Sequence, residues 1–185
     1  MSNQSGAPQP YRATQRTRGH LRIGVLTNFA CSVILGGCAS ITPNPAMSPR
    51  VVLPGEELPK GGGTYKLGRP YTINGVTYVP KHEPNYDRIG IASWYGAQHH
   101  GRLTANGEIY DMNRLSGAHP TLPLPSYVRV TNLADGTSRV IRINDRGPFV
   151  RKRLIDLSKK AAQELNFLSQ GTARVRVQYI GLAPL

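Results

Sequence analysis

Apolar and polar residues alternate with a period of two through much of the second half of the chain. Tyr127 to Leu133 and Arg139 to Asn144 alternate in this way on either side of Ala134-Asp135-Gly136-Thr137-Ser138. That pattern predicts an antiparallel hairpin with Arg on one face and Val or Ile on the other. Ile89 to Tyr95 reads as a strand ended by Gly96. Thr172 to Ile180, where Ala173, Val175, Val177 and Tyr179 alternate with Arg174, Arg176 and Gln178, reads as another. Tyr71 to Val79 alternates around Asn74-Gly75, the dipeptide of tight hairpins, and predicts a short hairpin of its own. One helix is predicted: Ser158 is its N-cap, Lys159 to Asn166 its body, Ala161, Ala162 and Leu165 its apolar stripe, and Gly171 lies beyond its end. Several short strands with a single helix suggest a small closed barrel, which leaves no exposed sheet edge.

Length agrees with this picture, since 185 residues suffice for one domain with a proper core and are too few for two of ordinary size. Fifteen Pro, twenty Gly and only 18% charged residues also fit a loop-rich, mostly β chain better than a helix bundle.

The first 37 residues have a different pattern. Met1 to Arg22 is polar with four Arg and no acid, and Ile23 to Gly37 is apolar and small. This is the layout of a secretory signal, with an apolar stretch shorter than the roughly 20 residues a stable membrane span needs. It ends in Leu35-Gly36-Gly37-Cys38, which resembles the bacterial lipobox and makes Cys38 the lipidated first residue of the mature protein. Cys31 would leave with the signal, so no intrachain disulfide is expected. Ala39, where Asp would favour inner-membrane retention, points to the periplasmic face of the outer membrane, with several acyl chains as a stable anchor. The expected organisation is a signal peptide over 1–37, a lipid-anchored flexible linker over 38–70, a hairpin lead-in over 71–88 and the barrel domain over 89–181. The linker reading rests on its Pro, Gly, Ser and Lys content, with Gly61-Gly62-Gly63 at its centre.

The formal net charge is +13. Taking the four leader Arg from the 23 basic residues leaves 19 against 10 acidic ones, a formal +9, so the mature protein stays basic. The cations are spread singly except at Arg151-Lys152-Arg153, without the aromatic interleaving of a nucleic-acid groove. An acidic polymer or a membrane surface suits the charge better, and no nucleic acid is expected. His82, His99, His100 and His119 have no spacing that completes a metal site, and there is no CxxC or HExxH. No metal and no cofactor are expected.

Three segments carry a family resemblance: Gly90-Ile91-Ala92-Ser93-Trp94-Tyr95-Gly96, His100 to Met112 with Thr104-Ala105-Asn106-Gly107-Glu108 at its middle, and Asn144-Asp145-Arg146-Gly147-Pro148-Phe149. Ala118-His119, Thr121-Leu122-Pro123, Tyr127 to Asn132 and Ile155-Asp156-Leu157-Ser158 continue it in order. The chain resembles the rare lipoprotein A family of lytic transglycosylases from about Ile89 to about Tyr179. That resemblance implies a six-stranded double-psi β-barrel, a fold shared with expansins. It also implies cleavage of the MurNAc–GlcNAc bond of peptidoglycan glycan strands lacking stem peptides, with 1,6-anhydro-MurNAc ends. Two positions depart from the family pattern: His99 stands where Phe is usual, and Pro120 follows His119 where Lys is usual. Pro120 biases His119 toward extended backbone, which bears on how the loop holds the imidazole. Few residues follow the barrel, so the C-terminal peptidoglycan-binding module of many relatives is expected to be missing.

Breaking a glycosidic bond requires protonation of the leaving oxygen, so a carboxyl group is the minimum equipment. When the sugar's own C6 hydroxyl attacks, one carboxyl can serve first as acid and then as base. The resemblance gives that role to Asp145, with Glu108 and His119 positioning substrate or tuning its proton affinity. Trp94, Tyr95, Asp111 and Arg146 are the expected substrate contacts, and Asp156 is read as structural. Read singly, Asp145 in Asn-Asp-Arg-Gly-Pro is ordinary turn chemistry, Glu108 a solvated loop acid and Trp94 a core residue. Glycan strands and the membrane are the expected partners, and the envelope address would also bring cell-division proteins within reach. The rival readings are an expansin-like binding module without turnover and a structural lipoprotein of the envelope.

Overall fold

Alternation becomes strand wherever one face has apolar side chains to bury. The structure, a computed structural model, describes residues 48–185. The leader over 1–37, Cys38 and the first part of the linker lie outside the described residues. The elements are β1 (Tyr71–Ile73), β2 (Val76–Tyr78), β3 (Asp87–Tyr95), β4 (Ser116–Ala118), β5 (Ser126–Asn132), β6 (Ser138–Asp145), β7 (Arg153–Ser158), α1 (Lys159–Glu164) and β8 (Thr172–Leu182). Six of these strands close into a barrel in the order β3-β7-β4-β6-β5-β8. The β3/β7 and β4/β6 pairs are parallel, and the other neighbours are antiparallel.

Val128 and Val130 of β5, Ile141 and Ile143 of β6, Ile155 and Leu157 of β7 and Val175 and Val177 of β8 are fully buried and form the core with Leu122 and Leu124. Each such side chain contributes about 1.5–3 kcal/mol by leaving water. The hairpin of β5 and β6 forms as the alternation predicts. Its faces differ in one respect from that expectation: Val140 is 46% exposed, on the same face as Arg142, while Arg139 reaches Glu164 at 2.8 Å. The β1/β2 hairpin also forms, with Tyr71 opposite Tyr78.

Helix α1 starts where Ser158 caps it, the hydroxyl accepting from Ala161 N at 3.1 Å. It ends two residues earlier than the periodicity suggests, because Asn166 turns to a positive φ of 58°.

The linker expectation needs correction over its second half. Val51 and Val52 donate their N–H groups to Gly101 O, and Val52 is buried. Lys66 and Leu124 exchange backbone hydrogen bonds of 2.6 and 2.9 Å, and Thr64 N donates to Asn106 O at 2.8 Å. Gly63 passes so close that a Cβ there would lie 2.9 Å from Glu108 Cγ, and its φ of +92° suits glycine alone. Residues 50–67 therefore run as a strap along the barrel. Composition misleads here because backbone hydrogen bonds, which any residue can make, hold most of the strap.

Candidate active site

Asp145 ends β6, where the chain leaves the sheet toward Gly147 and Pro148. Its Oδ1 accepts from Ala105 N and from Arg146 N, each at 2.8 Å. Oδ2 accepts no hydrogen bond among the described residues. Burial disfavours the carboxylate and pushes its pKa up to about 6, against the pull of the two N–H groups and the charges of Arg146 and Lys66. Because both donors sit on one oxygen, a proton belongs on the other. The side chain lines an open groove of about 500 Å³, along with Tyr95, His99, Phe149, Arg153 and Asp156.

His119 follows β4 and is 1% exposed. Its Nδ1 accepts from Thr121 N at 3.2 Å and Leu122 N at 3.1 Å, so the neutral ring carries its proton on Nε2, which donates to Tyr86 Oη at 2.8 Å. Burial, with Arg146 nearby, pushes its pKa down to about 3. The ring is fully enclosed and is not among the side chains that line the groove. It reaches Asp145 through backbone, His119 N donating to Asp145 O at 3.0 Å.

Arg146 lines the groove, but its guanidinium is committed to three backbone carbonyls: His119, Leu122 at 2.6 Å and Leu67 of the strap at 2.7 Å. It therefore ties the loops around Asp145 together.

Glu108 does not meet Asp145 in the groove. It is buried and faces a second cleft of about 440 Å³ with Arg142 and Tyr127. Arg142 holds it bidentately at 2.7 and 3.1 Å, and Asn106 and Asn144 donate to it at 2.8 and 3.0 Å. Burial raises its pKa, but these four donors outweigh that and hold it below the usual range, so it stays ionised. The same loop joins it to the groove: Asn106 bonds Glu108 while the preceding Ala105 N bonds Asp145. Asp111 lines the Glu108 cleft as well, with Arg114 at 3.4 Å and His100 at 3.7 Å. It is not brought to the groove, because Asp111 Oδ1 caps the turn at Asn113 N.

Alternation along β3 divides the two aromatic candidates. Trp94 shares its face with Ala92, packs against the core, and donates Nε1–H to Leu168 O at 3.2 Å. It stays away from the groove. Tyr95 lines the groove, stacked on Tyr110 at 4.3 Å with His99 edge-on at 5.4 Å. Its Oη is buried without a hydrogen-bond partner among the described residues. Asp156, read from sequence as structural, lies in the same groove as Asp145. The signal for it was Ser93, one turn of the alternation from Tyr95, whose Oγ donates to Asp156 Oδ1 at 2.5 Å.

Fold and groove together place the chain among the double-psi β-barrel proteins. Residues 87–177 match the family model described as lytic transglycolase, and through this domain the chain belongs to the rare lipoprotein A family. The chain is similar to the endolytic peptidoglycan transglycosylase RlpA of Pseudomonas aeruginosa, 55% identical over 112 residues that make up 60% of this chain and 33% of that protein. The Neisseria meningitidis serogroup B protein of the same name is 53% identical over 113 residues, 60% of this chain and 47% of its own length. That of Yersinia pestis is 43% identical over 161 residues, 83% of this chain and 44% of its own. The chain thus matches between a third and a half of the length of these curated relatives. Among solved structures it is similar to the Streptomyces papain inhibitor (19% identity, TM-score 0.45, 54% of this chain and 99% of that one). It is also similar to an expansin of Clavibacter michiganensis (14%, TM-score 0.41, 54% and 52%).

Proposed function

We propose that this chain is a peptidoglycan lytic transglycosylase that cleaves the MurNAc–GlcNAc bond in strands lacking stem peptides. The observation that carries the reading is Asp145: a carboxyl with a pKa near 6, one oxygen fixed by two backbone N–H groups and the other open to a groove. Family membership and the names of the relatives support the same chemistry.

In the reaction, protonated Asp145 gives its proton to the glycosidic oxygen. The C1–O bond breaks, and its electron pair stays with the GlcNAc oxygen, which leaves as a 4-hydroxyl. The C6 hydroxyl of MurNAc attacks C1, and its proton passes to Asp145, which is restored. No water is consumed and the product is a 1,6-anhydro end. Glu108, ionised and paired with Arg142, fixes the loop that presents Ala105 N. His119, neutral and enclosed, fixes the backbone on the other side of Asp145. Tyr95 and Arg146 form part of the wall that the sugar meets.

The domain over 89–181 would be delivered by a signal over 1–37 and anchored through lipid on Cys38 at the periplasmic face of the outer membrane. Labelled fatty acid should enter the wild-type chain and not Cys38→Ser; label in the variant would refute the anchor. For the activity, the purified full chain is incubated with peptide-stripped sacculi and the products are weighed by mass spectrometry. Peptide-free glycan fragments with 1,6-anhydro-MurNAc ends are expected from wild type and none from Asp145→Asn. Retained glycan binding without products in either would favour an expansin-like binding module instead.

A further inference from the structure

The strand pairing sets two carboxylates along one groove. Ala118 of β4 is paired with Asp145 of β6 on one side and with Asp156 of β7 on the other. The β4/β6 ladder shifts register between Gly117 and Ala118, which brings Asp145 opposite Ala118, and all three residues line the groove. Two strand spacings of about 4.8 Å put the Asp145 and Asp156 Cα atoms about 10 Å apart. On the strand between them stands Ala118, with its methyl group. Ser93 of β3, paired with Asp156 on its far side, extends the row.

Asp156 is also held in a definite orientation. Ser93 Oγ–H donates to its Oδ1, Arg153 Nη2 stands 3.3 Å from its Oδ2, and Arg153 Nη1 donates to Ser93 Oγ at 2.8 Å. Burial raises its pKa above the usual carboxylate value, and the Ser93 hydrogen bond and the charges of Arg153 and His99 offset only part of that rise. Among the described residues Asp145 has no side-chain donor of this kind. The two carboxyls thus differ in how they are held: Asp156 by the side chains of Ser93 and Arg153, and Asp145 by two backbone N–H groups on one oxygen, with the other oxygen open to the groove. Tyr95 lies in the field of both, its phenol held protonated by burial and by the two carboxylates.

We propose that Asp156 is a second catalytic carboxylate, facing the muramyl ring from the side opposite Asp145 and stabilising the positive charge that develops at C1 and the ring oxygen. This proposal rests on the transglycosylase reading above. Asp156 forms no bond and transfers no proton; Asp145 does both halves of the proton exchange. Carboxyl pairs that flank a scissile glycosidic bond stand about 5–9.5 Å apart, a range compatible with two side chains converging from about 10 Å. Ser93 and Arg153 are positioning residues, and Ala118 is small because the ring lies over it.

The test measures initial rates of anhydro-product release by the full chain. Asp156→Asn should lower kcat by about 10²–10³, the usual effect of losing one group that stabilises developing charge, with KM within about threefold and unchanged thermal melting. In Asp156→Ala, added formate should restore part of the rate by supplying a carboxylate, which a structural role would not permit. Asp156→Asn with a kcat within about threefold of wild type would overturn the proposal. So would a loss of activity that accompanies loss of cooperative melting and does not respond to formate. An inactive wild type is a separate result, since it removes the transglycosylase reading itself and this proposal with it.

Discussion

At the scale of the residue, Asp145 links stability to chemistry. Its pKa of about 6 lies above the value of about 3.9 in an unfolded chain, so the native state binds the proton more tightly. Stability from this group is therefore fully present below about pH 4, falls as pH rises toward 6, and above that becomes a cost on the order of 2 kcal/mol after allowance for solvent in the groove. Asp145→Asn keeps the acceptor for Ala105 N and Arg146 N and removes the charge. The variant should melt higher than wild type at pH 7.5, and the gap should close by pH 4.5. Because the protonated acid is the working form, wild-type cleavage should fall as pH rises through about 6. A rate unchanged from pH 5 to 8 would count against Asp145 as the acid. His119 should respond differently: His119→Ala leaves Tyr86 Oη and two backbone N–H groups without their partner and opens a cavity, so a loss of about 2–4 kcal/mol is expected in denaturant unfolding. Glu108→Gln weakens four charge-assisted contacts and should cost about 2 kcal/mol. The motifs made Asp145 readable from sequence. They could not show that Glu108 and Asp145 open on different clefts, because that depends on which side of the Ala105–Glu108 loop each carboxylate takes.

At the scale of the element, strands with long alternating runs were legible, whereas β4, with no such run, and β7, with only Ile155 and Leu157 buried on either side of Asp156, were not. Strands β3, β5, β6 and β8 all carry alternating apolar residues, and the core they form is the one the pattern predicts. Strand β4 is Ser116-Gly117-Ala118, with no β-branched residue, and it forms because β6 and β7 both bond to it. Gly117 is needed there, since a Cβ would lie 2.8 Å from Asp156 O. In β7, Asp156 interrupts the apolar sequence. These two strands, the least visible in the sequence, supply Ala118 and Asp156 to the groove. The junction of β7 and α1 also depends on one hydroxyl: Ser158 Oγ accepts from Ala161 N and donates to Arg114 O at 2.5 Å. Ser158→Ala loses the helix cap and leaves the Arg114 carbonyl short of a donor, so unfolding free energy should drop by about 1–2 kcal/mol. A change below about 0.3 kcal/mol would show that the junction is held by Ala161, Ala162 and Leu165 packing alone.

At the scale of the whole molecule, two descriptions of residues 48–70 lead to different outcomes. If they are only a tether, a chain that starts at residue 71 should melt and cleave like one that starts at residue 48. The strap geometry predicts otherwise. Removing it exposes the surface that Val52 covers, deletes the backbone pairing of Lys66 with Leu124, and takes the Leu67 carbonyl from Arg146. It also removes the Lys66 Nζ bond to Ala105 O at 2.9 Å, on the residue whose N–H fixes Asp145. Val52 burial and three or four net hydrogen bonds amount to about 3 kcal/mol, enough to lower the melting midpoint by more than 10 °C in a domain of this size. Activity should fall by more than the unfolded fraction explains, because the loop carrying Ala105 loses support from the strap while the barrel core stays intact. The comparison is made well below both midpoints, where each chain is folded. Equal rates there would mean that the strap stabilises the barrel without shaping the site, and equal melting would restore the tether reading for this segment.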